Sequence, residues 1–272
     1  MPISKLQSAV LRVIAAQRNP ESFIAGGVPI NRSGPRYSAD IDVFHDRQER
    51  VADAALADAR TLGDAGYQVV WLRQQPATYG ASIRLGQDET KLEWVVDSDY
   101  RFFPVVPDDQ FGYVLHIVDL AVNKVTAAAS RREPRDIVDL CTLHSNVLSI
   151  GALVWAAAVI APGYTPEGLI AEIRRNAVYP AAEFAQLAAD PPIDPVVVMR
   201  MLRAALDDAE RFVASMPSTH AGLLFLSSGQ PVQPNPSRLD TYVTHQAQQR
   251  GAWPSSPDIT SAMLAHLQKQ WP

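Results

Sequence analysis

The sequence predicts an α+β fold: a mixed sheet flanked by helices over residues 1–148, followed by a mainly helical region over 149–272. Two observations predict it. Before about Ser149, apolar runs with period two are interleaved with amphipathic helical runs. After it, the chain reads as helices separated by proline-rich turns such as Ala161-Pro162-Gly163, Tyr179-Pro180 and Asp190-Pro191-Pro192.

The elements follow in order. Residues 4–18 carry apolar side chains at helical spacing, and Asn19-Pro20 stops the run. Ser22–Ala25 is a short strand ending in Gly26-Gly27. Val28 to Tyr37 holds Pro29, Gly34 and Pro35 and is expected to be mostly turn. Ala39 to Phe44 alternates, so Asp40 and Asp42 share one face of a strand while Ile41 and Val43 share the other. Asp46 is expected to cap a helix that runs to about Ala65 and ends at Gly66. Three strand-like runs come next: 68–74, 81–85 and 90–96. In the last, Leu92, Trp94 and Val96 oppose Lys91, Glu93, Val95 and Asp97. Helices are predicted over 119–130 and 135–146, split by Arg131-Arg132-Glu133-Pro134. Farther on, 223–226 reads as a short strand, 230–236 as a loop and 256–270 as a terminal helix.

Composition narrows the function. The 272 residues carry a net charge of −5, with 47% hydrophobic and 19% charged residues, as expected of a globular chain with a sizeable core. There is no bulk basic character, so any RNA contact must come from a local patch. One cysteine, Cys141, rules out an internal disulfide and makes a cytoplasmic setting the expectation. The N-terminus lacks a signal pattern, and the longest apolar stretch, 150–161, is too short to span a membrane and suits a buried helix. Lysine occurs only at 5, 91, 124 and 269, the remaining cations being arginine. The six histidines show no metal spacing, although His45 lies just past the aspartate strand and could reach it.

The chemistry centres on Asp40-Ile41-Asp42. Carboxylates two apart on a strand project together with Cβ atoms about 7 Å apart. That suits one or two Mg²⁺ ions, which take carboxylate oxygens and substrate phosphates. Glycines before such a strand let backbone N–H groups approach a triphosphate. Glu93 or Asp97, on the polar face of a neighbouring strand, offers a third carboxylate. Aspartate is disfavoured in strands, so two in one strand call for a reason.

Phe23-Ile24-Ala25-Gly26-Gly27, Arg36 to Phe44, Asp119 to Lys124 and Arg135 to Leu140 together resemble the AbiEii/AbiGii toxin family. That family is similar to the DNA polymerase β-type nucleotidyltransferase superfamily. The resemblance covers roughly 20–145 and implies a nucleotidyltransferase-like sheet. It also implies an NTP substrate, two Mg²⁺ ions and transfer of a nucleotide to an acceptor. In several relatives the acceptor is tRNA, and the protein is the toxin of a toxin–antitoxin pair, which makes a cognate antitoxin an expected partner. On this basis Asp40 and Asp42 are the expected metal ligands, with Glu93 (or Asp97) as the third, and Gly26, Gly27 and Ser38 the expected phosphate cradle. Lys124 is the expected cation for the leaving pyrophosphate, and Asp136 and Asp139, one helical turn apart, are expected to face the cleft. Gly27 stands where many superfamily members have serine, so one phosphate hydrogen bond is either missing or supplied by Ser38. A lysine-rich segment before Lys124 is absent, and Arg73, Arg84 or Arg101 would substitute. Rival readings keep the fold but change the acceptor to a small molecule or protein, or make the chain a degenerate nucleotide-binding module.

Overall fold

The computed structural model describes residues 3–32, 34 and 36–254. Helix α1 (Lys5–Ile14) starts at Ser4, whose side chain accepts from the Gln7 backbone while Gln7 returns a bond to the Ser4 N–H. This reciprocal cap satisfies two donors that a helix start otherwise leaves open. Strand β1 (Ser22–Ala25) leads into α2 (Gly27–Ile30), a single helical turn inside the segment expected to be turn. Then come β2 (Asp40–His45), α3 (Gln48–Asp64), β3 (Gln68–Gln75), β4 (Thr78–Leu85) and β5 (Asp88–Val96). The short strands β6 (Tyr100–Arg101), β7 (Val106–Asp108) and β8 (Gly112–Val114) precede α4 (Ile117–Ser130) and α5 (Pro134–Asn146). Helices α6 (Ile150–Ala157), α7 (Pro166–Asn176), α8 (Ala181–Ala185) and α9 (Pro195–Ser215) follow. Last come β9 (Leu223–Ser227), β10 (Gln230–Val232), β11 (Val243–Gln246) and β12 (Gln248–Gln249).

The main sheet has seven strands in the order β3-β4-β5-β2-β1-β8-β7. It is mixed: β2 runs parallel to β5 and antiparallel to β1. The period-two pattern of β2 therefore sits at the centre of the sheet, with a ladder on both sides. Ile41 and Val43 face α1 and α3, in a core with Val10, Leu11, Val51, Leu62, Leu92 and Trp94. On the opposite side, Phe23 and Ala25 join a second core with α4, α5, α6, α7 and α9. That second core is continuous across residue 149. All of α6 is buried, as its uniform apolarity requires. Among the described residues no single helix is long and apolar enough to cross a membrane.

Two local expectations change, and a third is not tested. Asp46 does not cap α3; Arg47 holds that position, and Asp46 instead takes a two-bond ion pair from Arg101 at 2.8 and 3.1 Å. A buried arginine outcompetes backbone donors that solvent can satisfy. The loop expected at 230–236 begins as β10, because Ser228 and Gly229 both adopt positive φ and close a hairpin with β9. With β11 this makes a three-stranded sheet in the otherwise helical region. The terminal helix expected at 256–270 lies outside the described residues.

Candidate active site

Two strands bring the acidic residues together, and a third flanks them. Asp40 and Asp42 leave β2 on the face away from α1 and α3. Across the parallel ladder Asp42 stands directly beside Glu93 of β5, and across the antiparallel ladder beside Ala25 of β1. Gly26 follows at once, with φ +70°. A Cβ at this glycine would fall 2.1 Å from Asp42 Oδ2, so both the conformation and the space demand glycine. Gly26→Ala should lower activity about a hundredfold by displacing the Asp42 carboxylate. Gly63→Ala, where a Cβ on α3 meets nothing within 4 Å, should leave it unchanged. A labelled-nucleotide transfer assay on both variants checks this, and equal activities would refute it.

Gly27 differs. A Cβ there would meet Arg36 Nη2 at 2.7 Å and Ser38 Oγ at 2.9 Å. The space in front of the second glycine is thus already held by the Ser38 hydroxyl, which donates to the Asp40 carbonyl at 3.0 Å. Both glycines and Ser38 line one cavity of about 550 Å³ together with Asp40, Asp42, Glu93 and Lys124.

The carboxylates repel one another. Burial, then the charges of Asp40 and Glu93, push Asp42 up to about 7; Lys124 and Arg135 only partly offset this. Asp97 also lines the cavity and is raised by burial, but it lies past the end of β5, near Arg101 and Asp46. Two of the carboxylates hold cationic side chains: Arg135 Nη1 lies 3.5 Å from Asp40 Oδ2, and Lys91 pairs with Glu93. In this arrangement no three acidic, histidine or cysteine side chains among the described residues close around one point. The donor set is nevertheless all hard oxygen on one sheet face. Asp42, between two other carboxylates and in no ion pair among the described residues, carries the charge that a divalent cation would offset, so the residues fit such an ion.

The opposite wall is cationic and rigid. Lys124 Nζ sits 2.8 Å from Asp136 Oδ1 and 3.0 Å from Asp139 Oδ2. Arg131 gives Asp136 two bonds, at 2.7 and 3.1 Å. Arg36 gives Asp139 two at 2.9 Å, and Asn31 adds one at 2.8 Å. Asp136 and Asp139 do share a face of α5, as their spacing implies. That face meets Lys124, Arg131 and Arg36, and neither carboxylate lines the cavity. Burial alone would raise both acids, but the surrounding cations outweigh it and hold both below the ordinary carboxylate value. Three cations against two carboxylates leave a net charge of +1 directed at the cavity. Lys124, hydrogen-bonded to Asp136 and ion-paired with Asp139, lines that cavity.

Several expected contributors lie elsewhere. His45 points to the Ile41 and Val43 face, fully buried; burial, helped by Arg18, pushes it down to about 3. Period two alone excludes it from the aspartate face. Arg84 pairs with Glu89, and neither it nor Arg73 lines the cavity; Arg101 does, but Asp46 holds it. Arg36, Asn31, Asn123 and Tyr164 enter the site or its support without having been singled out. Arg36 carried one usable signal, an arginine within a turn that precedes the aspartate strand.

A mixed central sheet with two aspartates on its middle strand, opposed across a cavity by a fixed lysine, defines a nucleotidyltransferase. The chain belongs to the family described as nucleotidyl transferase AbiEii toxin of type IV toxin–antitoxin systems, whose model matches residues 19–190. Among solved structures, it is similar to MenT4, a nucleotidyltransferase toxin from Mycobacterium tuberculosis H37Rv. The identity is 13%, with 79% of this chain and 84% of that one covered, at a TM-score of 0.51. A presumptive nucleotidyltransferase from H. pylori matches at 14% identity over 77% of this chain and 94% of that one, with a TM-score of 0.47. No match was found among curated proteins.

Proposed function

We propose that this protein is a Mg²⁺-dependent toxin that moves a nucleotide from an NTP to RNA, with tRNA as the acceptor, and that an antitoxin partner counters it. The observation that carries the reading is the juxtaposition of Asp40, Asp42 and Glu93 on one sheet face with Lys124 across the cavity. Asp40, Asp42 and Glu93 would hold the metal, which when bound supplies Lewis-acid activation of the phosphate and of the attacking hydroxyl. Glu93 is favoured over Asp97 as third ligand because it stands in register with Asp42. The chain's own residues do the rest. Backbone N–H groups at Gly26 and Gly27, with the Ser38 hydroxyl, cradle the phosphates. The acceptor oxygen forms a bond to the α-phosphorus as the bond to the bridging oxygen breaks. Glu93 takes the hydroxyl proton, and Lys124 neutralises the departing pyrophosphate. Asp136 and Asp139 hold Lys124 in place rather than touching substrate.

Each labelled NTP incubated with the protein, total RNA and Mg²⁺ should give labelled RNA in the tRNA size range, and a chelator should abolish it. Label on a protein or small molecule, with RNA untouched, would overturn the acceptor assignment. Metal-dependent NTP binding without any turnover would overturn the enzymatic reading.

A further inference from the structure

The cations around the cavity are not alike. Lys124, Arg131 and Arg36 are each held by buried aspartates at 2.7 to 3.1 Å. Arg135, in the first turn of α5, is held loosely. Its Nη1 lies 3.5 Å from Asp40 and its Nε 3.8 Å from Glu133. That Nε is shut off from solvent without a hydrogen-bond partner. A guanidinium has five donors, and leaving a buried one unmade is costly. Arg135 also lines the cavity, and its side chain is 31% exposed, so it has room to move.

We propose that Arg135 is a resident counter-cation: it occupies Asp40 while the site is empty, and turns to the triphosphate when a divalent ion and nucleotide enter together. This rests on the metal-site reading above and deepens it. A divalent ion at Asp40 and Asp42 must displace the guanidinium and sits beside its charge, so a lone ion binds against repulsion. A triphosphate reverses the sign, because it offers the displaced guanidinium better acceptors than Asp40 did. Metal and nucleotide then bind cooperatively, and Arg135 is the positioning residue that couples them.

The test separates the two halves of the cycle. Mn²⁺ binding is followed by electron paramagnetic resonance, alone and with a non-hydrolysable NTP analogue, on wild type, Arg135→Gln and Arg135→Lys. In Arg135→Gln, lone Mn²⁺ should bind about tenfold more tightly while the analogue with Mn²⁺ binds about tenfold more weakly; Arg135→Lys should restore most of the coupling. A residue that merely supported the fold would weaken both, so weakening of both overturns the inference, as does unchanged lone-metal affinity. Absence of Mn²⁺ binding to wild type, with or without nucleotide, overturns the carboxylate-site reading itself and this inference with it.

Discussion

Asp42→Asn should abolish nucleotide transfer, by at least about a hundredfold, and at the same time raise the melting temperature of the metal-free protein. The two effects have one cause. Asp42 sits in a central strand, beside Glu93 and two residues from Asp40, with its carboxyl pushed up to about 7 by burial and by those two charges. A group whose folded value lies above its unfolded value binds more protons when folded. Its ionisation therefore costs stability, fully above pH 7, partly between the unfolded value of 3.8 and 7, and not at all below. Asparagine removes that cost. Because the Asp42 side chain is partly open to the cavity, the gain at pH 8 should be on the order of 2 kcal/mol, below what the full shift would imply. It should shrink toward zero as pH falls to 4. Thermal melts of both proteins across that range check the sign. A variant no more stable than wild type at pH 8 would show that Asp42 is not strained by its neighbours. Retained transfer would remove it from the metal site.

Asp139→Ala should cost on the order of 3–5 kcal/mol, the usual result of stripping one partner from a buried ion pair. Asp139 is fully buried, accepts from Arg36 and Asn31, and is ion-paired with Lys124. Its loss leaves the Arg36 guanidinium, itself 3% exposed, without its carboxylate. For a chain of this size the melting temperature should fall by roughly 10 °C. Asp136→Ala should cost less, because its second cation, Arg131, is half exposed and water can take over its solvation. Denaturant unfolding of the two variants measures the order. Equal or negligible losses would show that the aspartates do not anchor the cationic wall.

Much of the carboxylate face was legible in the sequence, because a strand's side chains alternate strictly. Reading Asp40, Asp42, Ile41 and Val43 in order was enough to divide β2 into an acidic and an apolar face. The same alternation placed Glu93 opposite Leu92 and Trp94 on β5, and would have excluded His45 had it been applied one residue further. Register could not be read: nothing local states that Asp42 stands beside Glu93 rather than beside Val95. The cationic wall was less legible still. Spacing put Asp136 and Asp139 on one face of α5, and rarity singled out Lys124, but neither says what that face meets. Arg36 and Asn31 reach Asp139 from 103 and 108 residues away, and Arg101 draws Asp46 from its expected cap across 55.

The Asp40-Ile41-Asp42 strand, the glycines before it and the α+β order of elements are thus properties of the sequence by itself, because each depends on neighbours within one or two turns of chain. The tertiary structure alone decided that the strand is central, that Asp42 has Glu93 beside it, and that Asp136 and Asp139 hold cations instead of facing the cavity. Those outcomes depend on which charges are brought together out of water. There an ion pair forms with whichever partner packing delivers, whatever the distance along the chain.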